Sequence, residues 1–183
     1  SILNEAANHP LDDWMAPSYE TAMAHLVGET AAEETEEEVE TSLTGSEREL
    51  FMKGKEIYSL DGYCGTCHQA DGKGLPAAGF PPLSEARWVT GSEERLIKLT
   101  LNGLSGPINV LGREYPGNVP MTPFGKMLND EEIAAVLTYV RNAFGNDATA
   151  ISPQKVGEIR AAIHNKTGFY SPDELIEEYP FEE

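Results

Sequence analysis

Two cysteines, a spacer of two residues and an immediately following histidine make up the stretch Cys64-Gly65-Thr66-Cys67-His68. That order and spacing suit covalent attachment of a haem. Each thiol adds across one vinyl group, and the adjacent imidazole then lies beneath the iron as an axial ligand. Other uses of the pair fit less well. A disulfide between residues three apart closes too small a loop to stabilise much. A thioredoxin-like redox pair calls for a surrounding βαβ pattern, and a structural zinc site needs four ligands. The chain has only two cysteines and no βαβ pattern. The expected cofactor is therefore one haem c, attached through Cys64 and Cys67.

The second axial ligand must come from outside that stretch. Met15, Met23, Met52, Met121, Met127, His9, His25 and His164 are available. A methionine is by default a core filler. Met121 stands apart because it sits in Gly117-Asn118-Val119-Pro120-Met121-Thr122-Pro123-Phe124. The proline before it favours an extended backbone and removes a competing donor. Met127 leads towards a helix and is expected to pack. A thioether opposite the imidazole would saturate the iron, favour its ferrous form and raise its potential, which suits passing electrons. The other histidines show no paired ligand spacing, and there is no second CxxCH.

The elements that must position these residues read as helices. Ser46 to about Leu60 forms the first, with Ser46 as N-cap and Leu50, Phe51, Gly54, Ile57 and Tyr58 on one face. A glycine in that face fits the close approach of another helix. Gln69 to Leu83 is an irregular loop. Ser92 to about Leu101 is a second helix, with Leu96, Ile97, Thr100 and Leu101 inward. Asn102 to Pro120, rich in glycine and proline, is expected to wrap without regular structure. Asn129 and Glu132 make a capping box for a third helix carrying Ile133, Val136, Leu137 and Val140, ended near Gly145. Gly54 and Tyr58 are expected to cross this helix at Leu137 and Tyr139. Two more helices start at Ser152-Pro153, running through Val156, Ile159 and Ile163 to Gly168, and at Ser171-Pro172, with Leu175 and Ile176 inward. In residues 1–28, Pro17-Ser18 opens a short helix and Trp14 anchors the segment to the core or a partner. The fold class is all-α.

Charge is unevenly placed. Of the net −18, residues 1–45 carry −11, residues 46–145 only −2, and residues 146–183 carry −5. The acidic run from Glu29 to Glu40 reads as a solvated linker. An acidic surface argues against nucleic acid and would suit a basic protein partner. No apolar run reaches the roughly 18–20 residues that cross a bilayer. The chain begins at Ser1 without a basic and apolar leader, and the expectation is a processed protein whose signal peptide has been removed.

With these parts in place, residues 46–145 resemble the class I cytochrome c family. The likeness is carried by the helix before Cys64-Gly65-Thr66-Cys67-His68, Phe80-Pro81-Pro82-Leu83, Arg87-Trp88-Val89, the approach from Tyr115 to Met121 and the helix after it. Within the family it is similar to domains serving respiratory complexes or quinoprotein dehydrogenases. The resemblance implies a cytochrome c-like fold of about three core helices around the haem, flanked by an acidic extension (1–45) and a helical one (146–183). It implies His68 and Met121 on the iron and a haem contact set of Pro81, Leu83, Trp88, Tyr115 and Phe124. Pro81 would accept the His68 N–H and Trp88 would donate to a propionate, with Tyr115 and Arg113 also near propionates and Asn118 near the methionine sulfur. The implied function is a monohaem electron carrier, not an enzyme, working between periplasmic or other extracytoplasmic redox partners. It would dock through the haem edge, or sit in a larger complex through residues 1–28. The alternative is a haem peroxidase-like or gas-sensing protein with a displaceable Met121.

Overall fold

The computed structural model describes residues 43–181. In chain order it contains α1 (Ser46–Tyr58), α2 (Cys64–His68), a 3-10 turn (Pro76–Ala78), α3 (Arg87–Thr90), α4 (Glu93–Asn102), β1 (Ile108–Val110), β2 (Arg113–Tyr115), α5 (Asp130–Asn142), α6 (Pro153–Ala162) and α7 (Pro172–Glu178). The architecture is mainly helical, as expected. The short helix at Pro17-Ser18, the anchoring by Trp14 and the acidic linker lie outside the described residues. No described helix is long and apolar enough to cross a membrane.

The core is built on the crossing of α1 and α5. Phe51, Ile57 and Tyr58 of α1 are buried against Ile133, Val136, Leu137, Tyr139 and Val140 of α5. Gly54 sits where the helices come closest. A Cβ there would collide with the Ala135 carbonyl and lie 2.8 Å from the Tyr139 Cβ. Omitting the side chain lets the two backbones touch, which is why the cost of a mid-helix glycine is tolerated. The Tyr139 ring then packs at 5.1 Å from Phe51, 5.2 Å from Tyr58 and 5.5 Å from Phe144, spacings typical of favourable aromatic pairs.

The expected capping box opens α5. Asn129 accepts from the Glu132 N–H at 3.0 Å, and Glu132 accepts from the Asn129 N–H at 2.8 Å. Ser92 caps α4, accepting from the Arg95 N–H at 3.2 Å. Ser46 does not cap α1. Gly45 takes the cap position at φ 55° with no side-chain cap bond, and Ser46 is already helical. The helix begun at Pro153 stops at Ala162, well before Gly168, and Ile159 and Ile163 are only half-buried beside the buried Val156.

Residues 102–120 depart from the irregular wrap expected of them. Ile108 pairs with Tyr115, Asn109 with Glu114 and Val110 with Arg113 in an antiparallel hairpin. Its two-residue turn places Leu111 at φ 53° and Gly112 at φ 76°, the left-handed pair that matches strand twist. Asn109 Oδ1 accepts from the Gly112 N–H at 3.1 Å and steadies the turn. Leucine is a rare first residue for such a turn, so composition alone did not mark it.

Cations tie the pieces together. Arg141, 3% exposed, donates to the carbonyls of Thr149, Val89 and Gly91 at 2.8, 2.7 and 3.0 Å. It thereby pins the corner between α3 and α4 to the end of α5. Arg160 of α6 donates to Asp130 at 2.6 Å, to the Leu128 carbonyl at 3.0 Å and to the Gly125 carbonyl. Lys155 bridges Glu93 and Glu94 of α4, each at 2.7 Å.

Two outcomes follow from this packing. Gly54→Leu should destabilise the haem-loaded protein by about 3 kcal/mol or more in chemical denaturation, since a backbone carbonyl cannot move aside. The second concerns pH. Burial raises the Glu93 carboxyl, but hydrogen bonds from Lys155 and Thr149 and the Arg141 charge outweigh it, leaving a net lowering. Glu94 is lowered chiefly by its Lys155 hydrogen bond. Both carboxylates titrate lower folded than unfolded, so their contribution is full above their ordinary value of 4.5 and is lost as pH falls through the folded values. Lys155→Met should therefore cost about 1 kcal/mol at neutral pH, and the difference in Tm from the parent should shrink between about pH 5 and pH 3.

Candidate haem site

α2 is a single turn holding Cys64, Cys67 and His68. Residues three and four apart on a helix lie on one face, so both thiols and the imidazole line the same cavity. The turn is fixed to α1 by Tyr58, whose hydroxyl donates to the Gln69 carbonyl at 2.6 Å. It is closed below by the Thr66 hydroxyl, which accepts from the Gly62 N–H at 3.0 Å. No disulfide joins the two cysteines. Burial pushes the Cys64 thiol up to about 11, with the nearby Cys67 adding to the rise, so it stays protonated at neutral pH and is a poor disulfide-exchange nucleophile.

His68 Nδ1 lies 2.9 Å from the Pro81 carbonyl oxygen. A carbonyl only accepts, so the proton sits on Nδ1 and Nε2 keeps its lone pair. Burial lowers the imidazole pKa, and the Pro81 hydrogen bond offsets that only in part. The ring is thus neutral near pH 7 and has its tautomer set for metal ligation through Nε2.

Met121 lines the same cavity from the far loop. Its backbone is anchored, the Met121 N–H donating to the Leu104 carbonyl at 2.8 Å. Leu104 in turn lies beside Tyr170, with the Ser105 N–H on the Tyr170 carbonyl at 2.9 Å and the Tyr170 N–H on the Gly103 carbonyl at 3.1 Å. Residues 103–105 therefore act as a short strand with Met121 on one edge and the C-terminal segment on the other. Met127 is 52% exposed and absent from the cavity wall. It neither packs as expected nor competes for the site, because the turn at Phe124 carries it outward.

Pro81, Leu83, Trp88, Tyr115 and Phe124 all line the cavity. The Leu83 N–H is held by the Gly72 carbonyl at 2.7 Å and the Phe124 N–H by that of Thr100 at 2.9 Å. Trp88 brings its ring, while its indole N–H is taken by the Asn109 carbonyl at 3.0 Å. That bond joins α3 to the hairpin. Arg113 and Asn118 are exposed and outside the wall; Arg113 lies over the Tyr115 ring at 5.4 Å.

Sequence reasoning passed over several wall residues. Tyr63, next to Cys64, stacks on Phe124 with ring centres 5.5 Å apart. Ile108 and Val110 arrive on the unforeseen hairpin, and Leu96, Leu99 and Thr100 come from α4. Val136, Leu137 and Val140 of α5 also reach the cavity. A helix buried on nearly all sides serves two surfaces, and its periodicity could not separate them. The chemistry of the donor set fits a haem c: paired thiols, a neutral imidazole with an oriented lone pair, a thioether, and walls of aliphatic and aromatic side chains.

A cytochrome c family model matches residues 51–144, just over half of the chain. The chain belongs to the cytochrome c family. It is similar to a cytochrome c-552 of Thermus thermophilus, with 43% identity over 106 residues covering 53% of this chain and 69% of that one. It is 33% identical over 103 residues to the gluconate 2-dehydrogenase cytochrome c subunit of Pantoea cypripedii, covering 53% of this chain and 22% of the relative. The Cbb3-type cytochrome c oxidase subunit CcoP of Azospirillum sp. (strain B510) is 31% identical over 99 residues, covering 51% of this chain and 28% of its own. The chain is thus a c-type cytochrome, and electron transfer is its function. Packing of α1 on α5 is typical of this fold.

The brace behind Met121 yields a prediction. Tyr170 is buried at 4% exposure, so Tyr170→Ala should cost about 3 kcal/mol in the holoprotein. Amide hydrogen exchange at Ser105 and Met121 should rise more than that of α1 and α5, reporting local opening of the 103–105 strand.

Proposed function

We propose that this cytochrome carries one haem c, linked to Cys64 and Cys67 and ligated by His68 and Met121. It would pass single electrons between extracytoplasmic redox partners such as respiratory complexes, terminal oxidases or quinoprotein dehydrogenases. The observation that supports this most is the shared cavity of His68 and Met121, one with its ring oriented by Pro81 and the other with its backbone held by Leu104. The bound group supplies the reversible ferric–ferrous couple. The chain's own residues keep the imidazole neutral, hold the thioether in a stiff loop, exclude water with Leu96, Val110, Phe124 and Val136, and put no carboxylate, lysine or arginine among the described lining residues. A closed, fixed ligand set would limit rearrangement between oxidation states, which favours rapid electron exchange. The kinship with cytochrome subunits of oxidase and dehydrogenase complexes supports a protein partner, and the partner's site would be reached through the cavity mouth. Residues 46–145 would form the haem domain, with residues 1–28 available for attachment to a complex.

Met121→Ala tests the ligation. The oxidised parent should show the near-infrared charge-transfer band of methionine bound to ferric iron and should bind carbon monoxide slowly when reduced. The variant should lose the band, bind carbon monoxide rapidly and have its reduction potential fall by more than about 100 mV, within the roughly 0.8 V range that axial ligation spans. An unchanged band in the variant would reassign the ligand.

A further inference from the structure

We infer that Asn146 is a positioning residue for His68: through Leu83 and the rigid Pro81-Pro82 pair it holds the Pro81 carbonyl on the imidazole N–H. It thereby sets how strongly the ring donates to iron. The inference deepens the haem reading given above and rests on it. Asn146 is 8% exposed and stands outside the cavity wall. Its Nδ2 donates to the Val140 carbonyl at 2.7 Å and to the Leu83 carbonyl at 3.1 Å, and its Oδ1 accepts from the Glu85 N–H at 2.7 Å. Both carbonyls only accept, so this orientation of the amide is the one that satisfies all three groups. One side of Asn146 is thus tied to α5, and the other clips the chain just beyond Pro81.

That clip matters because Pro81 and Pro82 have no N–H and a fixed φ. The pair has no donor with which to anchor itself, so its neighbours must place it. Upstream, Phe80 is bonded to Leu75 in both directions, at 3.0 and 3.2 Å. Downstream, Leu83 is held at both of its backbone groups, its N–H on the Gly72 carbonyl at 2.7 Å and its carbonyl on Asn146. Glu85, whose N–H also ends on Asn146, is at φ 55°, a conformation that a residue with a side chain rarely adopts unaided. Phe144 and Gly145, at φ 62° and 82°, turn the chain back from α5. The Phe144 ring then covers Gly72, where a Cβ would collide with it, and the Asn146 amide reaches Leu83 and Glu85. A hydrogen bond from the second ring nitrogen to a carbonyl makes a ligating imidazole more basic, and hydrogen bonding around the ligands is one of the levers on haem potential. A firm Pro81 bond favours ferric iron, and a loosened 81–85 turn tips the balance towards ferrous.

Asn146→Ala in the holoprotein tests this. It should raise the reduction potential, increasing the ferrous-to-ferric ratio at a fixed solution potential at least about threefold, which is about 30 mV for one electron. By NMR of the reduced protein, the His68 Nδ1–H should exchange with solvent at least about tenfold faster relative to the buried amides of α5, the sign of a local opening. Asn146→Ser keeps one hydroxyl donor and should shift both readouts in the same direction by less; it supplies the test if the alanine variant does not fold. Asn142→Ala is the control. Its amide is buried at the same end of α5 and bonds the Thr138 carbonyl at 3.0 Å, so its loss should lower stability and leave both readouts in place. Asn146 variants that lose stability with potential and ring-proton exchange unchanged would overturn the inference, as would equal shifts in Asn142→Ala. A fall in potential would also overturn it, marking entry of water in place of a weakened Pro81 bond. The near-infrared methionine band is recorded on every sample. Its absence in the parent would refute the ligation reading itself, its loss in the Asn146 variants alone would overturn the proximal assignment, and its retention there supports it.

Discussion

Everything at the site depends on holding two side chains, 53 residues apart in sequence, on one cavity when neither sits in a long regular element. His68 lies at the end of a single helical turn, and Met121 in a proline-flanked loop. Backbone hydrogen bonding solves the problem from both sides. The Pro81 carbonyl orients the imidazole at 2.9 Å, and the Leu104 carbonyl fixes the Met121 amide at 2.8 Å. The second bond is useful only because Leu104 is itself immobilised between Met121 and Tyr170. The C-terminal segment therefore belongs to the support of the methionine loop, and the loop's stiffness is a property of three chain segments together.

The same logic explains where the arginines of this acidic chain end. Arg141 and Arg160 end largely on carbonyls of turns and helix ends, groups left without partners where regular structure stops. Arg95, 1% exposed, donates to the Tyr179 and Arg87 carbonyls at 2.7 and 2.8 Å and lies over the Phe181 ring at 4.2 Å. Each guanidinium offers five donors in a rigid fork, so one side chain can seal several loose ends. The result is a frame of short elements that would barely rearrange as an iron within it changes charge.

How far this could be read in advance varied by the range of the interaction. The capping box at Asn129 and Glu132 is made of local bonds within four residues and was legible. The Cys64–His68 stretch was legible as a pattern because its five residues are consecutive. The hairpin at Leu111-Gly112 was not, since a leucine at positive φ is held there by the pairing of Ile108 with Tyr115 and by Trp88 on Asn109, contacts that composition does not carry. Arg141 sits in the last turn of α5, and its acceptors lie up to 52 residues away. Met127 and Met121 differ little as residues; the turn at Phe124 sends one outward and the other to the cavity.

The sequence alone determined the CxxCH spacing of Cys64, Cys67 and His68 that goes with a haem c, because those five residues are consecutive. It also determined the helices, through local caps and apolar periodicity. The tertiary structure decided that Met121 shares a cavity with His68 and how its loop is braced. Those depend on long-range backbone bonds and on a glycine that lets α1 touch α5. Physically, covalent chemistry and capping act over a few residues, whereas a cavity exists only once distant segments have packed around it.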